Sequence, residues 1–288
     1  MAWAGADSMG SDYQLFDAPH LDYALWDCPF DKSVKLRGPP VDRKRPYVVC
    51  LGAAPTFGRF CREPFPELLS RRLGMQVLNA GVAGAGPSTF LRDGWCEWLN
   101  GAEAVVVQVL AARSESNSLF ECDPTRGAFG VRRSDASPMR FESFLGLLMA
   151  SADPAKVRHV VEQTRQNYVR NMSLLLEGIR SPKILLWLSK RPPCYAIDDR
   201  KLHGILNAHP QLVDDVMLDQ IRAHADAVVE CVSSAGLPQR LWPAAEPIPG
   251  TVIEDGWLAN RYYPSPEMHG LAAAKLAGAF RSILPSTR

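Results

Sequence analysis

The sequence has no excess of charge of either sign: 32 Lys and Arg stand against 31 Asp and Glu in 288 residues, a formal net charge of +1. Such a balance removes the bulk attraction that holds proteins on nucleic acid or anionic membranes, so neither is expected as a partner. Long hydrophobic runs are also missing. The most apolar stretches, Ala104–Ala112 and Ile184–Leu188, fall well short of the ~20 residues that span a bilayer. Met1–Asp7 carries no basic segment ahead of an apolar one, so no secretory leader is read there. The 7 cysteines, an odd number, include no C-x-x-C pair and form no even framework. That usage suits a reduced, cytoplasmic chain. No H-E-x-x-H or similar spacing joins His159, His203, His209 and His224, and neither a metal nor another cofactor is expected.

What the chain does have is an ordinary apolar content of 47%, enough for a sizeable core. Residues 1–45 are rich in aromatics, Pro and Asp without steady periodicity, and read as an arm laying Tyr13, Phe16, Tyr23, Trp26 and Phe30 on the body. Lys32, Lys35, Arg37, Arg43, Lys44 and Arg45 make the arm locally basic, either a solvated stretch or a contact for an anionic ligand.

From Tyr47 the pattern becomes regular. Tyr47–Leu51, Gln76–Leu78, Ala104–Leu110, Lys183–Leu188 and Ala227–Val232 are continuous apolar runs, as expected of parallel strands covered on both faces. Helical patterns alternate with them over Pro66–Leu73, closed by Gly74, and over Ser88–Leu99, Pro210–Ala223 and Pro266–Leu284. A further helix over Asp153–Arg180 opens with Asp then Pro and carries a core stripe from Val157 to Ile179. Alternation of this kind implies a doubly wound parallel sheet, residues 46–288 forming one α/β domain with an insertion at about 113–140.

In such sheets ligands sit beyond the carboxyl ends of the strands. Three turns there are distinctive. Leu51-Gly-Ala-Ala-Pro-Thr-Phe-Gly58 follows the first strand, and is no P-loop because no Gly-Lys-Ser/Thr follows. Leu78-Asn-Ala-Gly-Val-Ala-Gly-Ala-Gly86 follows the second, with G-x-x-G-x-G spacing rather than the dinucleotide fingerprint. Arg261-Tyr-Tyr-Pro-Ser-Pro-Glu-Met-His-Gly270 opens the last helix.

Together these turns resemble the SGNH (GDSL) hydrolase superfamily over roughly residues 46–285. The longer phrases Thr56–Phe60, Pro64-Phe-Pro66, Arg113 with Ser116-Asn117, and Tyr262–His269 are most similar to a bacterial branch with altered catalytic blocks. The resemblance implies a flavodoxin-like three-layer sandwich, a five-stranded parallel sheet in the order 2-1-3-4-5, and ester or acyl chemistry. The first block of that family presents a nucleophilic Ser; here the position holds Ala54, within Gly52–Gly58. Gly84 matches the oxyanion glycine. The oxyanion Asn is replaced by Ala112, and the last block keeps His269 but has Pro266 in place of the orienting Asp.

A methyl group cannot attack a carbonyl, so serine acyl-enzyme chemistry is unavailable at position 54. The remaining catalytic candidates are His269 as base with Glu267 or Asp255, Thr56, and Arg113. The expected substrate-binding set is Gly52, Ala54, Asn79, Gly84, Asn117, Lys190 and Arg191, the cations suiting an anionic group. Cys50 and Cys231 read as inert core thiols. Three functions remain open: an SGNH-like enzyme of non-standard site acting on an acylated sugar, lipid or small metabolite; a catalytically inactive relative that binds such a small molecule through Arg113, Asn117 and His269; and a nucleotide-dependent enzyme using the 81–86 turn.

Overall fold

A computed structural model of the chain describes residues 16–284 apart from 196, 197, 199 and 207; Tyr13 lies outside the described residues. Strands β1 (Leu25–Asp27), β2 (Lys35–Arg37), β3 (Tyr47–Gly52), β4 (Gln76–Gly81), β5 (Ala104–Gln108), β9 (Lys183–Ser189) and β10 (Ala227–Val232) form one sheet. Its order is β1-β2-β4-β3-β5-β9-β10. The run from β4 to β10 is parallel throughout, in the 2-1-3-4-5 order that the resemblance implies. Every residue of β3 and β5 is buried, which is why those segments read as continuous apolar runs rather than alternation.

The two faces of the sheet carry separate cores. Val49, Leu51, Val105, Val107, Leu185 and Trp187 face one layer, made of α4 (Trp95–Asn100), α5 (Phe141–Ser151), α6 (Pro154–Gly178), α7 (Leu202–Leu206) and α8 (Asp215–Arg222). Val48, Cys50, Val106, Ile184, Leu186 and Cys231 face the other, where α2 (Phe65–Leu73) packs beside α9 (Pro266–Ile283). Cys50 and Cys231 are buried core thiols, and burial pushes both pKa values up.

Helix starts follow local chemistry. Asp153 accepts from Ala155 N at 2.7 Å ahead of Pro154, and Ser265 accepts from Met268 N at 3.2 Å ahead of Pro266. The helix expected over 88–99 is two pieces, α3 (Pro87–Phe90) and α4. Gly94 at φ +90° turns the chain between them, and Phe30 of the arm fills the space a side chain there would need.

The arm does more than lay aromatic anchors. Tyr23 and Phe30 are packed inward, but Phe16 is exposed, and β1 and β2 form an antiparallel hairpin that pairs with β4 at Arg37–Asn79. Arg37, expected within a basic run, is buried and donates to the carbonyls of Phe57, Gly58, Cys61 and Arg62. Arg43 pairs with Glu97 at 2.7 Å, and Lys35 with Asp27.

The stretch at 113–140 contains a small antiparallel sheet of β6 (Phe120–Cys122), β7 (Phe129–Arg132) and β8 (Ser137–Arg140). A second one, absent from the sequence reading, consists of β11 (Gln239–Pro243), β12 (Thr251–Glu254) and β13 (Trp257–Asn260). No helix among the described residues is long and apolar enough to cross a membrane.

Candidate functional site

At the end of β3 the chain bends into a single helical turn, α1 (Ala54–Phe57), closed by Gly58 at φ +81°. A Cβ on Gly52 would collide with the Thr56 hydroxyl and the Gln108 amide oxygen, so the glycine is required by packing of the protein on itself. Thr56 is fully buried and donates to Gln108 Oε1 at 2.7 Å; Ala53 N donates to the same oxygen at 3.0 Å. Two donors on that oxygen fix the orientation of the amide. Gln108 Nε2 therefore donates to His209 Nε2 at 2.7 Å, and the His209 proton resides on Nδ1, beside the Val109 carbonyl. Burial, aided by the charges of Arg113 and Arg191, pushes the His209 pKa down to about 3 and keeps the ring neutral.

The loop bearing His209 is held from below. Arg191 donates to the carbonyls of Ala208, Pro210 and Val213, with Tyr195 stacked on its guanidinium at 3.6 Å. Ser189, the last residue of β9, donates to His209 O at 2.6 Å. Gln211 donates to the Tyr262 hydroxyl, and its side chain also meets His209. Lys190, at the rim, donates to Arg261 O at 2.6 Å, and desolvation lowers its pKa. Pro55, Lys190, His209, Tyr262 and Tyr263 enclose a crevice of about 10 Å³, room for about one water.

The other expected residues lie elsewhere or are otherwise engaged. His269 is fully buried between α9 and α2, and its Nδ1 accepts from Phe65 N at 3.2 Å. Pro64 caps α2 without a side-chain bond, so His269 supplies the acceptor for that helix's first amide. Burial first, and the Arg37 charge second, push its pKa down to about 3, and its Nε2 has no partner among the described residues. The sequence reading placed this histidine across from the β3 loop as a base; its apolar seat against the Phe65 ring gives it a helix-capping contact instead. Glu267 is exposed on the first turn of α9, and Asp255 is exposed at the tip of the β12–β13 hairpin.

Arg113, in a short 3₁₀ turn after β5, forms an ion pair with Glu142 of α5. Asn117 is buried: its Oδ1 accepts from Leu119 N and Phe120 N, and its Nδ2 donates to Thr164. That is a turn-forming asparagine. Asn79 is likewise spent on Gly81 N and Phe57 O. Ala54 is buried at the start of α1, and Ala112 N donates to Gln211 O at 3.0 Å.

The glycines of the second turn also answer to the protein. Gly81 abuts the Phe57 backbone, Gly84 abuts Gly127 and Ala128, and Gly86 abuts Ser114 and Glu115. Of the substrate-binding set only Lys190 lines the crevice, with Arg191 acting through its neighbours. Gln108 and Gln211 are not among the residues expected at the site, and His209 enters the sequence analysis only among histidines without metal-ligand spacing. Gln108 left a signal, as the one polar side chain within Ala104–Ala112, where burial demands a partner. Among the described residues no group of three or more His, Cys, Asp or Glu could hold a metal ion.

Solved structures similar to the chain include phospholipase A1 from Streptomyces albidoflavus, 12% identical over 83% of this chain and 100% of that one, TM-score 0.43. A putative lipolytic protein of the G-D-S-L family from Desulfitobacterium hafniense is 12% identical over 81% and 98%, TM-score 0.34. An SGNH-hydrolase family esterase is 17% identical over 84% and 98%, TM-score 0.34. No curated protein matches. The family model that matches, over residues 12–284, is described as "Domain of unknown function (DUF6473)".

Proposed function

The chain belongs to the DUF6473 family, and from the geometry of its site we propose a protein that recognises an ester- or acyl-bearing small molecule without forming a covalent acyl-enzyme. One observation carries this reading. The position to which the resemblance assigns the nucleophile holds the methyl group of Ala54, and the nearby hydroxyl of Thr56 is fully buried and donates to an amide oxygen. An amide oxygen is too weak a base to take the proton, so Thr56 is not an activated nucleophile.

The two histidines are spent in the same sense. The His209 Nε2 lone pair accepts from Gln108, and the His269 Nδ1 lone pair accepts from Phe65 N. With pKa values near 3, both are poor general bases at neutral pH. The ligand class rests on the glycine-bearing turns after β3 and β4, which resemble those of acyl-directed SGNH proteins.

p-Nitrophenyl acetate and butyrate, offered to the wild type, Ala54→Ser and His269→Ala, test the proposal. No turnover above buffer is expected from any of the three. The Ser variant gains nothing because the lone pairs of both histidines are already engaged. Wild-type turnover overturns the reading. A second reading, an ester-acting enzyme with displaced machinery, is favoured by Lys190, His209 and Tyr262 meeting at the carboxyl ends of the strands. It requires that wild-type turnover exist and disappear in His209→Gln.

A further inference from the structure

A larger cavity lies outside the crevice. It is an open cleft of about 700 Å³ between the arm, the segment linking α1 to α2, and β11, in the size range of small-molecule sites. Tyr263 separates the two: it lines the crevice on one side and packs its ring edge-on to Phe60, which lines the cleft, at 5.6 Å.

The cleft wall has a flat aromatic part. His20 of the arm stacks on Trp242 of β11, centroids 4.4 Å apart and planes within 15°, and Phe60 meets Trp242 edge-on at 5.7 Å. Two exposed guanidinium groups, Arg62 and Arg240, stand beside this wall, and neither has a carboxylate partner among the described residues. Arg240 lies over the Trp257 ring at 3.9 Å, which orients it without neutralising it. The carboxylate lining the cleft, Glu63, is already held by Arg71 at 2.6 Å. The local charge is therefore cationic in a molecule whose total is near neutral.

We propose that this cleft binds an anionic saccharide, a sugar ring carrying a carboxylate or sulfate, with the ring against the aromatic wall of His20, Trp242 and Phe60 and the anion shared by Arg62 and Arg240. Guanidinium groups match such oxyanions through paired N–H donors, and an aromatic face beside them accommodates the C–H side of a sugar ring. The cleft shares no residue with the proposed acyl site, so this inference stands or falls independently of that one.

Titration calorimetry of the full chain, at low and at physiological salt, decides the matter with digalacturonate, a sulfated disaccharide, neutral cellobiose and AMP. The acidic sugars are expected to bind about tenfold or more tightly than cellobiose, with affinity falling as salt rises. Preference between the two acidic probes identifies the anion. Arg62→Gln combined with Arg240→Gln, both exposed positions, lowers that affinity by about tenfold or more while the melting temperature stays put. Trp242→Ala weakens every sugar. Equal binding of cellobiose, no heat from either acidic sugar at millimolar concentration, unchanged affinity in the double variant, or binding of AMP alone would each overturn the proposal.

Discussion

Asp17→Asn is expected to loosen the arm and to cost a large part of the folding free energy. The Asp17 and Arg59 side chains are 0% exposed, and their contact is two-pronged: Arg59 Nε to Oδ2 at 2.9 Å and Nη2 to Oδ1 at 3.2 Å. Tyr23 adds a third donor to the carboxylate at 2.9 Å, and Arg59 Nη1 continues to Pro249 O at 2.7 Å. Asparagine preserves the shape but removes the charge and turns one accepting atom into a donor facing a guanidinium. Breaking one side of a buried pair leaves the other charge uncompensated, which costs about 3–5 kcal/mol. With a urea m-value of about 3 kcal/mol/M for a chain of this size, the midpoint drops by roughly 1–2 M. The assay is urea unfolding followed by circular dichroism at constant pH, with limited proteolysis of residues 16–24 as a local probe. Asp17→Leu combined with Arg59→Met should recover much of the loss, since an apolar replacement of a buried pair is often neutral. A midpoint shift under about 0.3 M, or protease resistance of the arm equal to wild type, would refute the reasoning.

Other perturbations follow from the same geometry. Gly52→Ala places a methyl group against Thr56 and Gln108 and should cost about 1–3 kcal/mol or more by thermal unfolding, while the same change at exposed Gly178 should cost far less. Arg191→Lys keeps the charge but forfeits the fork that holds Ala208, Pro210 and Val213, so amide exchange over 208–213 should quicken. His269 titrates near 6.5 when unfolded and near 3 when folded, so its contribution is complete above pH 6.5 and is lost as pH falls toward 3, by up to about 5 kcal/mol. A His269→Gln variant should show a flatter urea midpoint between pH 6.5 and 4 than the wild type. Glu115 acts in the opposite direction. Burial raises its pKa from 4.5 to about 7, so stability falls as pH rises through that interval, and Glu115→Gln should remove the decline.

Much of the scaffold could be read before any coordinates because each parallel strand is covered on both faces and leaves an uninterrupted apolar run. The cap of α6 was also visible, since Asp153 acts within two residues of the amide it satisfies. The sheet of β11, β12 and β13 was not. Its residues are mostly half-buried or exposed, and its pairing depends on a long-range partner rather than on its own pattern. Reading the last-block histidine as a base failed to anticipate where the imidazole points, because the acceptor need of Phe65 N is some 204 positions away. His209 had no local mark at all. Its role comes from Gln108, whose orientation is itself set by Ala53 and Thr56, a chain of contacts that only folding assembles.

The hairpin of the arm has a meaning for association as well as for packing. A parallel sheet has two outer strands, each a template on which a neighbouring molecule can grow. Here β2 lies along the free side of β4, and Arg37 rivets it there by gathering four carbonyls. On the opposite side Lys275 reaches from α9 to the Glu230 carbonyl of β10, placing a cation where an incoming strand would have to dock. A chain shortened to residue 46 would uncover the first of these borders, and its sedimentation coefficient should then rise with concentration while that of the intact protein stays constant.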